Sequence, residues 1–220
     1  MSLVIFSCSP RSENKSNTAA IVDAFAKGFS SVPENSVTVY PLCKRKDWLI
    51  YQRAFEQNTE IIFAMPLFVE CIPGILMEFL ESLKPKENDE QRTSIGFILQ
   101  SGFEEACQLR TAEHYLEKLP RYLNCDYAGT LLKGGMFALA MSSDAKKEKI
   151  LLPFFHMGKR YATERFFEKS VVSKFAMPER YTKSLIFLAK ITQPISRVAW
   201  MFLARKLGVK GKLDAQPYKT

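Results

Sequence analysis

Leu3-Val4-Ile5-Phe6 runs into the polar stretch Ser7-Cys8-Ser9-Pro10-Arg11-Ser12-Glu13-Asn14-Lys15-Ser16. Asn17 to Phe29 follows, with apolar residues at Ala20, Ile21, Ala24, Phe25 and Phe29. Four successive apolar residues suit a strand buried on both faces, and the spacing after Asn17 is helical. A buried strand, a polar loop and a helix make the first half of a βαβ unit. The fold is decided by whether that half-unit recurs.

It recurs along most of the chain. Val37 to Tyr40, Ile61 to Met65, Ser94 to Leu99 and Tyr127 to Leu132 read as four more strands. Between and after them, Trp48 to Phe55, Ile75 to Leu83, Glu104 to Leu119 and Lys146 to Phe167 read as helices. Pro120 is the expected stop of the third, and Pro153 an imperfection in the last. Lys84 to Arg92 (KPKENDEQR) is a solvated connector. Five alternations of strand and helix predict an α/β domain, a five-stranded parallel sheet with helices on both faces. Right-handed crossovers leave few topologies, and the order 2-1-3-4-5 is the expected one. Ligands of such sheets sit at the carboxyl ends of the strands, so residues 7–17, 66–72, 100–104 and 133–136 are the loops to read.

The composition agrees with a folded enzyme-sized domain. The chain has 220 residues, 47% hydrophobic and 25% charged, which excludes disorder over most of its length. Its formal charge of +8 suits an anionic small molecule, a nucleic acid or an anionic membrane surface and does not choose among them. Five scattered cysteines without a CxxC pair argue against a zinc ribbon or a thioredoxin-type site. They fit free thiols in a reducing, cytoplasmic compartment. The start MSLVIFSCSP lacks the basic opening of a secretory signal, and no stretch of about 18 apolar residues is free of charge.

Three loops carry candidate chemistry. In the first, Ser9, Ser16, Asn17 and Thr18 offer short donors, Arg11 and Lys15 offer cations, and the helix start offers unpaired N–H groups, together suited to a phosphate. The same residues also suit an ordinary helix cap. It contains neither GxGxxG nor GxxxxGK[ST]. In the second, Pro66-Leu67-Phe68-Val69 is apolar where a loop is normally polar, so either a flat ring system or a protein surface lies against it. Backbone N–H groups there are candidate donors to such a ring. In the third, Ser101-Gly102-Phe103 follows a strand and opens a helix, and the glycine either admits a ligand close to the backbone or serves a turn.

Taken together, Ser9-Pro10-Arg11 with Ser16-Asn17-Thr18, Pro66-Leu67-Phe68 with Pro73, and Ser101-Gly102-Phe103 resemble the flavodoxin-like NAD(P)H-dependent FMN reductases in order and spacing, over roughly residues 2–135. The resemblance implies a flavodoxin-like three-layer sandwich. It implies that Ser9, Arg11, Ser16, Asn17 and Thr18 hold the FMN phosphate. It further implies that Pro66, Leu67, Phe68 and Val69 flank the isoalloxazine, with Ser101, Gly102 and Phe103 opposite. This chain departs from the pattern at Cys8, where the family usually has Gly, at Phe68 for Tyr, and at Glu70 for Asp. Cys43 stands alone where some relatives carry the cysteines of an iron–sulfur cluster, so a plain flavoprotein without a metal is expected.

Flavin chemistry needs no dedicated side-chain acid or base, and no catalytic side chain is nominated. The implied activity is hydride transfer from NAD(P)H to a small acceptor such as a quinone, a flavin or a nitro or azo compound. The alternative is a flavodoxin-like electron carrier or binding module without its own turnover. Such carriers are usually acidic, which this chain is not. Lys44, Arg45 and Lys133 are weighed as guides for an NADPH phosphate against plain solvated lysines and arginine. Cys8 and Cys71 are read as small apolar residues, and His114 and His156 as structural.

Residues 1–178 are assigned to the FMN-binding domain and 179–220 to a helical extension. Arg180 to Leu207 is predicted to be mostly helical, with a possible break at Pro194 and no acidic residue between Glu179 and Asp214. Packing on protein, with a homodimer, is the expected fate of its apolar residues, ahead of membrane-surface contact. No nucleic-acid partner is expected.

Overall fold

The computed structural model describes residues 2–68, 71–87, 92–206, 208, 209 and 211. Its five strands are β1 (Ser2–Ser7), β2 (Ser36–Pro41), β3 (Glu60–Pro66), β4 (Ser94–Gln100) and β5 (Asp126–Lys133). All pair in parallel, in the order 2-1-3-4-5. The helices are α1 (Asn17–Ser30), α2 (Trp48–Gln57), α3 (Gly74–Glu81), α4 (Arg110–Tyr122), α5 (Phe137–Met141), α6 (Asp144–Glu164), α7 (Lys169–Ala176) and α8 (Lys183–Lys206). The chain divides into two compact units, one through Arg180 and one from Tyr181. Pro178 and Glu179 belong to the first: their carbonyls accept from Ala106 and Cys107, and the Glu179 carboxylate pairs with Arg110 at 2.7 Å.

Strand residues alternate between two apolar layers, which is why the strands read as unbroken apolar runs. On one face Phe6, Phe63, Phe97 and Tyr127 form a row across four strands, with ring centroids 5.1, 6.1 and 6.2 Å apart. Phe79 of α3 packs on Phe6, and Tyr51 of α2 on Tyr40. On the other face Phe25 of α1, Tyr161 of α6 and Phe167 pack together over Gly96. Each buried phenylalanine contributes about 1.5–3 kcal/mol.

The helices α1 and α6 meet backbone to backbone. A Cβ on Gly28 would stand 1.9 Å from Phe155 O, and one on Gly158 2.0 Å from Phe25 O. Gly129 in β5, at φ +93°, sits at the irregularity in the β4–β5 register, and a side chain there would strike Phe167.

Three sequence expectations change. The helix expected from Glu104 starts as a 3-10 turn at Ala106 and becomes α-helix at Arg110. It then runs through Pro120 to Tyr122, so Pro120 lies in its last turn rather than stopping it. Pro153 and Pro194 lie inside continuous helices. Pro153 and Lys149, whose carbonyl it leaves without a helical donor, are both exposed, so water can serve that carbonyl; Pro194 and Lys190 repeat the arrangement. The short helices α5 and α7 have no counterpart in the sequence reading, which ran one helix on to Phe167. Of the connector 84–92, residues 88–91 lie outside the described residues, as does Leu207 of the tail.

Candidate functional site

The four loops singled out from sequence meet at the carboxyl edge of the sheet. The reversal of strand order lies between β1 and β3, and Ser7 is in register with Ala64 there. Cross-loop hydrogen bonds hold the edge together. Cys8 N donates to Ala64 O at 2.7 Å, Leu67 N to Gln100 O at 2.7 Å, and Ser101 N to Lys133 O at 3.1 Å. Two side-chain bonds span longer stretches of chain: Gln100 Nε2 donates to Thr18 Oγ1 at 3.2 Å, and Asn17 Nδ2 to Met136 O at 2.7 Å.

Each candidate of the first loop has a defined place. Ser9 is buried and its Oγ accepts from Arg11 N at 3.2 Å, leaving its hydroxyl proton to donate. Arg11 is exposed. Ser16 is the N-cap of α1, accepting from Ala19 N at 3.2 Å, and it too keeps a proton to donate. Asn17 and Thr18 open the helix, so their backbone N–H groups have no intrahelical acceptor. Their side chains are turned to Met136 and Gln100, and Thr18 is buried. Thr18 Oγ1 accepts from Gln100 and, like Ser9 and Ser16, keeps a proton to donate, so Asn17 and Thr18 offer an anion their N–H groups, the positive end of α1 and that one hydroxyl.

In the second loop Pro66 is buried, Leu67 half-buried and Phe68 47% exposed. Phe68 and Cys71 exchange backbone hydrogen bonds at 3.1 and 3.0 Å. The N–H groups of Leu67 and Phe68 are thus used inside the protein, and these residues present apolar surface rather than donors. Val69 lies outside the described residues.

In the third loop Ser101 is buried and its hydroxyl donates to Phe103 O at 2.9 Å, so it shapes the turn. Among the described residues no acceptor takes the N–H of Gly102 or Phe103. Phe103 is 68% exposed. Gly134 makes the fourth loop possible: a Cβ there would lie 2.4 Å from the carbonyls of both Phe103 and Glu104. Gly135, at φ +75°, donates to Phe103 O at 2.7 Å.

The cations weighed as phosphate guides have structural partners instead. Lys44 pairs with Glu13 at 2.6 Å. Arg45 pairs with Glu78 and lies over Trp48. Lys133 donates to the carbonyls of Phe175 and Met177 at 2.8 and 3.1 Å, and desolvation lowers its pKa. Cys8 is fully buried, and burial pushes its thiol well above the ordinary range, which makes it an apolar filler. Sequence reasoning placed Gln100 and Met136 in loops to read without giving them a role, and did not reach exposed Phe137. The first two join the site through bonds to α1, and Phe137 lies beside Gly102. Only the Gly134-Gly135 pair hinted at that corner.

Solved structures similar in fold include an FMN-dependent NADH-azoreductase from Bacillus anthracis in complex with FMN, with a TM-score of 0.54 and 12% identity over 76% of this chain and 99% of that one. An NADPH-quinone reductase from P. pentosaceus has a TM-score of 0.53 and 18% identity over 74% of this chain and 98% of that one. An NAD(P)H:quinone oxidoreductase from Methanothermobacter marburgensis has a TM-score of 0.56 and 14% identity over 73% of this chain and 96% of that one. No protein-family model matches the sequence, and no curated protein does. The sheet order and these likenesses define the fold as flavodoxin-like.

Proposed function

We propose that this chain is an FMN-dependent oxidoreductase that takes hydride from NAD(P)H and reduces a small acceptor, a quinone, a flavin or a nitro or azo compound. The carrying observation is the pairing of two unlike surfaces at the switch point of the sheet. One is a cluster of donors around the start of α1: the hydroxyls of Ser9 and Ser16, the N–H groups of Asn17 and Thr18, and the Arg11 cation. The other is the exposed aromatic surface of Phe68 and Phe103. A phosphate on an apolar ring system has those two halves, so the residues present fit FMN.

On this reading Ser9, Arg11, Ser16 and the helix start hold the phosphate. Pro66, Leu67, Phe68 and Val69 line the ring on one side, with Ser101, Gly102 and Phe103 on the other. The N–H groups of Gly102 and Phe103 are candidate donors to polar atoms of the ring. Bound FMN supplies the hydride chemistry at its own ring. The chain's part is to bind, orient and exclude water, and no side chain of the loops has to carry a proton. The free cysteines fit a reducing, cytoplasmic setting.

An absorption spectrum of the purified protein, recorded without oxygen before and after NADPH, tests the reading. A flavin spectrum that bleaches with NADPH and returns on adding a quinone or azo dye is the expected result. A flavin reduced by dithionite but not by NADPH or NADH would make the protein a carrier. A colourless protein that gains no flavin on incubation with FMN would overturn both.

A further inference from the structure

We propose that α8 is an interfacial helix that holds the protein on an anionic lipid surface. This inference stands apart from the flavin reading. The first observation is the placement of charge. Residues 1–179 hold 22 Lys and Arg and 22 Asp and Glu, which cancel, whereas residues 180–213 hold eight Lys and Arg and no Asp or Glu. The formal excess of +8 therefore sits in this one segment, since Asp214 and Lys219 cancel in their turn. Nothing about the remainder of the chain asks for an anionic partner of macromolecular size.

The second observation is exposure. A helix of 24 residues is about 36 Å long. Phe187, Leu188, Ile191, Val198 and Phe202 fall within an arc of roughly 100° on its surface, at the spacing of one face. All five are exposed, Phe187 at 66% and Phe202 at 65%. Lys183, Lys190 and Arg197 recur every seven residues and so run as a stripe beside that face, and Arg205 and Lys206 close the helix. Leu185, Ile186, Trp200 and Met201 are exposed as well, so apolar surface reaches round the helix on both sides of the cation stripe, and exposed apolar side chains interleaved with cations and no anion suit a headgroup layer. No described helix is long and apolar enough to cross a membrane.

Charge decides between this occupant and the others. A second copy of α8 packed antiparallel through that face would bring cations against cations, and a parallel one would leave both stripes on the flanks with no acidic residue in the segment to meet them. A nucleic acid would satisfy the cations and leave Phe187, Ile191 and Phe202 in water. An anionic bilayer takes both.

Full-length protein should pellet with vesicles of phosphatidylcholine and phosphatidylglycerol and stay in the supernatant with phosphatidylcholine alone. Binding should weaken steeply as salt rises from about 0.1 M to about 1 M, where the screening length falls from about 10 to about 3 Å. Each cation near such a surface contributes roughly fivefold in partitioning, so Lys183→Gln with Lys190→Gln and Arg197→Gln should weaken it about a hundredfold. Phe187→Ser with Phe202→Ser should also release the protein. Circular dichroism melts matching the parent would establish that both variants keep the first unit folded. Failure to pellet with the anionic vesicles, or equal pelleting with neutral ones, overturns the proposal. If light scattering in that event gives two chains for the parent and one for the phenylalanine variant, the face belongs to a second copy.

Discussion

At the amino ends of the strands, polar groups are used to close the backbone. Lys86 Nζ donates to Glu56 O and Asn58 O at 2.8 and 2.9 Å, Asn124 Nδ2 donates to Lys86 O at 2.9 Å, and Ser94 N and Asp126 N donate to Thr59 O and Thr93 O. Phe55 there is buried beneath the Lys86 ammonium, while Tyr122 is exposed at the end of α4. At the carboxyl ends the same five strands lead into loops that leave Phe68, Phe103, Phe137 and Met141 exposed and the start of α1 without acceptors. One end spends its polar groups on the backbone, and the other presents the start of α1 and apolar side chains to its surroundings. The contrast predicts that stability and ligand affinity respond to different substitutions.

The largest effect belongs to the scaffold under both ends. Gly158→Val would drive side-chain atoms into the backbone of Phe25 and Phe29, where even a Cβ is 2.0 and 3.0 Å away. A loss of about 3 kcal/mol or more is expected in denaturant titration. A variant as stable as the parent would show that α1 and α6 can separate without cost.

Next come the carboxyl-edge donors. Arg11→Ala and Ser16→Ala should each weaken FMN binding by roughly tenfold or more, the loss of about 1–3 kcal/mol of charge-assisted or hydroxyl bonding. Arg11→Ala should leave the melting temperature unchanged, whereas Ser16→Ala also removes a cap worth about 1 kcal/mol. Unaltered flavin retention in the double variant would put the anion elsewhere.

The converse holds at the amino edge. Lys86→Met removes the donor for two carbonyls and should cost about 1–2 kcal/mol of stability with no change in FMN affinity. A change in affinity comparable to that of Arg11→Ala would erase the distinction between the two ends.

The smallest effect is a pH dependence. Hydrogen bonding to Arg110 holds the Glu179 carboxyl below the usual carboxylate range. Its folded value is lowered, so its contribution is present above the ordinary value of about 4.3 and is lost as pH falls through the lowered one. The pair is partly exposed and screened, so about 0.5 kcal/mol is at stake. Glu179→Gln should flatten the acid limb of the stability curve by that amount and leave stability near pH 9 no more sensitive to pH than in the parent.

Much of this architecture is legible without coordinates. The apolar runs from Leu3, Val37, Ile61, Ser94 and Tyr127 are strands because residues buried on both faces must all be apolar, and a run of four to six such residues is a local property. The helices α5 and α7 were not legible, since a helix of five or eight residues gives periodicity too few turns to show. Pro153 and Pro194 do not interrupt their helices because the carbonyls they free, of Lys149 and Lys190, belong to exposed residues, a fact the sequence does not record.

By itself the sequence determined the alternation of strand and helix, the parallel sheet, the polar character of one loop and the apolar character of the next. It also put the whole formal charge excess into 180–213. Only the tertiary structure decided which of the donors in the first loop remain for a ligand. Asn17 and Thr18 look equivalent to Ser16 in sequence, but the Asn17 amide donates to Met136 O and the Thr18 hydroxyl accepts from Gln100, 119 and 82 residues away. A hydrogen bond forms with whatever partner the folded chain brings within about 3 Å, and no local pattern records which residue that will be.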